Sequence, residues 1–474
     1  MYRLPPLAIL LLALAAPVQA EAPLDLRGPA GAPAAPGTPF RATGLPDRLL
    51  LLPGADPSRE MAVSFRTDAA QAETLVELVE LKPAPNFGLS ARRVAGASTA
   101  TISENGPARH HQVRLEGLAP ATRYAWRAKG SAGWSEWHQF TTAAAPATPS
   151  RPFRFLYLGD LQTDILALGS LAVRRALLQG GDPALIVHAG DLVNGRETKV
   201  TDDEWGEWAA AFGWALAAIP QLPAAGNHEY MDRTGPDGRE TRVLGPHWPL
   251  MFPVPANGAL GARATTYAVD WQGVRFLVLD GTSALDLDTL DAQTAWLELQ
   301  LRRPKADWTV VVVHQPIFTC ARPRDTPRLG AAWVPLFERF RVDLVLQGHD
   351  HCYSRLTSAE GKAASVAARR TGRAQGPVYM VSVTGSKMYG LNDRADTQPD
   401  RVAEDTMLFQ TVDVTPARLQ VRSFTADGRL YDGFDLVRQR DGTNRLVEAA
   451  GLPATRRCAA GRNADGFPCT ARPR

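Results

Sequence analysis

Apolar positions follow two rhythms along the chain. From residue 41 to 143 they come as short runs broken by Gly, Pro and Asn: RLLLLP, MAVSFRT, ETLVELVEL, HHQVRLEGL, TRYAWRAKG and SEWHQFTT. Runs of that length, with turn residues at such spacing, predict an antiparallel β-sandwich. Past a linker at 144–152 the runs become nearly continuous: FRFLYLGD, ALIVHAGD, VRFLVLD, TVVVVHQP and VDLVLQGHD. Such strands are buried on both faces of a sheet. Between them lie helical stretches, ILALGSLAVRRALLQ, DDEWGEWAAAFGWALAA and DTLDAQTAWLELQLRR, the second with Asp202 placed as an N-cap. Trp205, Trp208, Phe212 and Trp214 recur at helical spacing, which reads as core or domain interface. PVYMVSVTG and LFQTVDVTPARLQVRSFTADG supply the closing strands, so the second domain is predicted over 153–437, with a C-terminal tail at 438–474.

The ends have a different character. Residues 1–20 combine Arg3, the apolar core AILLLALAA and Val18-Gln19-Ala20, the layout of a secretory signal peptide. Ala, Pro and Gly then dominate a leader at 21–40. Export to a periplasm or out of the cell is the expectation, and the even cysteine count suits an oxidising compartment. Cys458 and Cys469 lie in a polar, Gly- and Arg-rich tail that a local bridge would hold, and Cys320 and Cys352 complete the set of disulfide candidates.

Composition narrows the class. The 474 residues are 45% hydrophobic and 21% charged, which excludes disorder throughout and a polytopic membrane protein. With 52 basic and 49 acidic residues the net charge is only +3, too small for a dedicated nucleic-acid binder. Only six of the basic residues are lysines, a skew attributed to codon bias.

Several apolar runs end in a short polar motif. These are Gly159-Asp160-Leu161-Gln162, Gly190-Asp191-Leu192-Val193-Asn194, His314 after the valines, and Gly348-His349-Asp350-His351; Gly226-Asn227-His228-Glu229 follows QLPAA in the same way. In an α/β sheet, ligands gather beyond the carboxyl ends of strands. Carboxylate, amide and imidazole groups without thiolates suit borderline divalent ions such as Zn, Mn or Fe. No GxSxG elbow or GxxxxGKS loop is present, and HEYMD at 228–232 lacks the second histidine of a zinc-protease helix.

GDLQ, GDLVN, GNHE, VVVVH and GHDH resemble the calcineurin-like metallophosphoesterases. Leu118 to Tyr124 resembles a fibronectin type III strand corner, and that preceding domain makes the chain most similar to the purple acid phosphatase branch. The resemblance implies a four-layer α/β sandwich, two sheets flanked by helices, preceded by the all-β domain. It implies a pair of metal ions bridged by Asp191, one held by Asp160 and His351, the other by Asn227, His314 and His349. Gln162 either supplies a carbonyl ligand or only a hydrogen bond. Cys320 and Cys352 each follow such a histidine closely, which places them near one another. His228 falls outside the ligand set and is assigned to the leaving oxygen, oriented by Asn194 or Asp270; Arg355 is a candidate phosphate contact.

Asn194 stands where purple acid phosphatases have a ferric-binding tyrosinate, which implies a colourless site with two divalent ions. The implied activity is hydrolysis of phosphate monoesters of small molecules by attack of a metal-bound hydroxide. A phosphodiesterase or nucleotide pyrophosphohydrolase on the same centre is the near alternative. A non-catalytic binding protein with a degenerate site is the distant one.

Overall fold

The computed structural model describes residues 39–146, 151–196, 201–235, 238–304, 306–357, 376–395 and 397–455. The signal-peptide reading and the Cys458–Cys469 bridge lie outside the described residues. Among those residues, no helix is long and apolar enough to cross a membrane.

The N-terminal domain is a sandwich of two four-stranded antiparallel sheets. One holds Asp47–Pro53, Met61–Asp68, Ala97–Ser103 and Gly106–Leu115; the other holds Leu75–Glu80, Arg92–Ala95, Arg123–Ala128 and His138–Thr141. Their inner faces bury Val63, Phe65, Val76, Leu78 and Trp126. At the strand corner, the Ala119 amide donates to the Tyr124 hydroxyl at 2.9 Å.

Two seven-stranded mixed sheets make up the second domain. The first runs, edge to edge, through Gln221–Pro223, Leu185–His188, Phe153–Leu158, Leu408–Thr415, Arg418–Thr425, Leu430–Arg438 and Asn444–Glu448. The second runs through Tyr267–Trp271, Val274–Leu279, Trp308–Val313, Leu344–Gln347, Val378–Val381, Tyr353–Thr357 and Arg401–Ala403. Phe155, Tyr157, Phe276, Val310 and Leu344 pack the sheets into one core. Helices Leu290–Leu301 and Pro327–Arg339 cover the outer face of the second sheet through Trp296, Trp333 and Phe337. The last strand, Asn444–Glu448, pairs with Leu430–Arg438 and carries the sheet past the expected end of the domain at 437.

The domains are joined by buried polar contacts. Asp202 lies inside the first turn of Thr201–Phe212 rather than capping it. Glu104 of the N-terminal domain does the capping instead, accepting from the Asp202 amide at 2.6 Å. The freed Asp202 carboxylate receives Arg48 (2.5 Å), Arg66 (2.8 Å), Asn105 (2.8 Å) and His247 (3.1 Å). Trp205, Trp208 and Phe212 are buried, as helical spacing predicts, but Trp214 follows the end of that helix and is 65% exposed.

Candidate metal centre

Each candidate metal ligand lies within four positions of the carboxyl end of a strand. Phe153–Leu158, Leu185–His188 and Gln221–Pro223 are mutually parallel, as are Val274–Leu279, Trp308–Val313 and Leu344–Gln347. Their ends deliver Asp160, Asp191 and Asn227 from one sheet, and His314, His349 and His351 from the other. Four of these residues adopt left-handed backbone: Asp160 (φ 47°), Asp191 (50°), His349 (71°) and His351 (48°). That conformation costs about 1–3 kcal/mol at a non-glycine residue and persists where surrounding contacts impose it, typically at functional sites.

Two glycines make the approach possible. A Cβ on Gly226 would sit 2.1 Å from Asp191 Oδ1. Gly190 has φ 89°, and a Cβ there would lie 2.6 Å from His314 Nδ1.

The donor atoms form two groups that share Asp191: Asp191 with His314 and His349, and Asp160 with Asp191 and His351. Within each group the candidate ligand atoms lie within 4.8 Å of one another. His314 Nδ1 donates to the Ala189 carbonyl at 2.8 Å, which turns Nε2 into the cluster. That Nε2 meets Asp191 Oδ2 (3.1 Å), Asn227 Oδ1 (3.2 Å) and His349 Nδ1 (3.1 Å). Lone pairs converging in this way require a positive charge among them, either a proton on His314 or a cation. His351 repeats the pattern, with Nδ1 on the Lys387 carbonyl at 2.8 Å and Nε2 3.7 Å from Asp160 Oδ1.

The ionisation pattern has the same origin. Burial pushes the Asp160 carboxyl well above its usual range, and the Asp191 charge adds to this. Burial would raise Asp191 too, but the imidazoles of His314, His228 and His349 hold it well below that range. Burial opposes charge on His314, yet the Asp191 carboxylate pushes it up to about 9. The chain has therefore buried two carboxylates side by side with imidazole nitrogens aimed at them, a donor set that fits a pair of borderline divalent ions. Among the described residues, the Asn194 Oδ1 atom is buried with no hydrogen-bond partner.

His228 is buried beside this cluster, with Nε2 3.9 Å from Asp191 Oδ2 and its amide donating to Asp191 Oδ1 at 2.9 Å. Gln162 also faces Asp191. Its amide group lies 2.8 Å from Asp191 Oδ2 at one end and 3.3 Å from Lys387 Nζ at the other. Cys320 and Cys352 form a disulfide that ties the loop after His314 to the loop carrying His349 and His351. Between them, Asp350 Oδ2 accepts from the amides of Cys320 (2.5 Å) and Ala321 (2.6 Å).

Two expected residues lie elsewhere. Arg355 is fully buried in strand Tyr353–Thr357, where it binds Asp432 and Glu448, each at 2.8 Å, so it is a core ion pair and not a phosphate contact. Asp270 cannot orient His228, because it pairs with Arg275 and Arg303 at 2.9 Å on the edge strand Tyr267–Trp271.

Sequence reasoning also passed over two residues that the structure brings in. Glu229 accepts from the amides of Asp191, Leu192 and Gly226, at 2.9, 2.7 and 2.6 Å, locking two motif loops together; its place at the end of GNHE was the available signal. Lys387 enters from the loop after Val378–Val381, and the scarcity of lysine was its only mark in the sequence.

Comparison with known proteins agrees with this geometry. Residues 153–353 match the calcineurin-like phosphoesterase family, and residues 46–142 match the purple acid phosphatase N-terminal domain. The second domain is thus a calcineurin-like phosphoesterase domain. The chain pairs it with a domain similar to the N-terminal domain of purple acid phosphatases. An uncharacterised protein of Mycobacterium tuberculosis is 28% identical over 336 residues, 64% of this chain and 60% of the relative. Purple acid phosphatase 23 of Arabidopsis thaliana is 24% identical over 52% of this chain and 57% of its own length. The chain thus spans about 60% of the length of the curated relatives it matches. The structure of purple acid phosphatase PPD1 from yellow lupin seeds superposes with a TM-score of 0.69, covering 84% of this chain and 75% of that one at 18% identity.

Proposed function

We propose that this chain is an exported hydrolase of phosphate monoesters, working on a dinuclear centre of divalent ions. The observation that carries the reading is the pair of ligand groups sharing Asp191. Asp160 and His351 would hold one ion, and Asn227, His314 and His349 the other. Ions bound there would acidify water and offset the charge of a phosphate.

The chain's own residues supply the rest. Main-chain carbonyls fix the tautomers of His314 and His351, and Glu229 keeps the Asp191 loop in place. His228 is close enough to Asp191 to stay on the site, yet belongs to neither ligand group, which suits it to protonate a leaving oxygen. Asn194 provides no anion, so trivalent iron loses its phenolate partner and a divalent pair is favoured.

Release of p-nitrophenol from its phosphate monoester and from the bis-ester, measured across Zn, Mn and Fe loading, tests the reading. Faster turnover of the monoester is expected. Preference for the diester would assign a phosphodiesterase, and metal uptake without hydrolysis of either would leave a binding protein.

A further inference from the structure

Lys387 sits on a loop that hydrogen bonds pin to the first motif. The Thr384 amide donates to the Gly159 carbonyl (2.7 Å), Gly385 to Asp160 (3.0 Å), and Ser386 Oγ to Thr163 (3.1 Å). From the other side, the Tyr389 amide donates to the His351 carbonyl at 3.0 Å, and the Tyr389 ring lies 4.7 Å from the His351 imidazole. The half-buried Lys387 side chain is therefore delivered to a fixed place, 3.3 Å from the far end of the Gln162 amide group. Both contacts of that group are hydrogen bonds in one orientation only, with nitrogen towards Asp191 and oxygen towards Lys387.

We infer that Lys387 is a positioning residue that acts on the metal centre through Gln162. It occupies the Gln162 carbonyl, so the amide serves as a donor to Asp191 and is withheld as a metal ligand. This rests on the two-ion reading above, but not on which ester is cleaved. A lysine suits this because, like an arginine, it offers donors and no acceptor, so the amide has one stable orientation between it and the carboxylate. Removing Lys387 alone should then release an oxygen ligand to an ion held on Asp191; removing Gln162 as well should cancel the gain.

The experiment is a cobalt(II) titration of metal-stripped full chain, read by calorimetry and by visible absorption. The variants are Lys387→Met, Lys387→Gln, Gln162→Ala and the Lys387→Met/Gln162→Ala pair, with Lys387→Arg as the conservative control. Lys387→Met is expected to bind the weaker cobalt equivalent about tenfold tighter, the usual scale for groups that orient a ligand. Its d–d bands should shift as the amide oxygen joins the ion. Lys387→Gln repeats that result with a neutral polar side chain, and Lys387→Arg stays close to the unmodified chain. The double variant should show neither the gain nor the spectral shift. Equal tightening with and without Gln162 would mean that charge alone acts, and no change in Lys387→Met would mean that no relay exists; either overturns the inference. Failure of the unmodified chain to take up cobalt would instead sink the two-ion reading, and the relay with it.

Discussion

At the scale of single residues, a role can be separated from a ligand by asking what else changes. His228 lies 3.9 Å from the shared Asp191 but in neither ligand group. His228→Ala should therefore lower kcat by about 10²–10⁴, the range for loss of a general acid, while bound metal stays the same. Metal analysis beside turnover checks this; parallel loss of both would make His228 a ligand. Asn194 gives a second test at this scale. The expected protein is colourless after iron loading, because the Asn194 amide offers iron no phenolate for charge transfer. A visible absorption band in the loaded protein would refute that.

At the scale of elements, the sequence disclosed the strands that end at the site far better than those that do not. VVVVH and ALIVHAGD are buried on both faces, so their apolar runs are unbroken. Arg92–Ala95 and Ala97–Ser103 are largely exposed and carry no such pattern, so they were missed. Helix Pro327–Arg339 was hidden by its two prolines, although Leu329, Trp333 and Phe337 recur four apart on its buried face. Asp202 was misplaced for another reason. Its helix is capped by Glu104, 98 residues earlier, and no local rule reports a partner so distant. That helix anchors the domains to each other through Asp202, and the anchor is testable. Asp202→Asn leaves the Arg48 charge buried without its carboxylate and should cost about 3–5 kcal/mol in urea unfolding at pH 7. Asp413→Asn, which breaks the partly exposed pair with Arg154, should cost no more than about 1 kcal/mol. Equal costs would mean that the interdomain cluster is not a distinct source of stability.

For the whole molecule, stability in acid depends on buried groups that the fold keeps neutral as well as on its ion-paired carboxylates. His188 ends strand Leu185–His188, just ahead of Asp191 in the chain, bonded to Gln221 at 2.7 Å and enclosed by the rings of Trp208 and Phe212. Burial pushes its pKa down to about 4, against about 6.5 in an unfolded chain. Between those values the unfolded chain binds the extra proton and the folded one does not, so stability falls as pH falls. The contribution of His188 is intact above pH 6.5 and is lost progressively down to about 4. His188→Gln removes this proton uptake, so its stability relative to the unmodified chain should improve on acidification. Within the window the gain approaches about 1.4 kcal/mol per pH unit. Urea unfolding of both proteins at pH 7.0, 5.5 and 4.5 measures it. A constant difference between the two proteins at all three values would show that His188 takes up its proton while folded, and that the wall of Trp208 and Phe212 admits water.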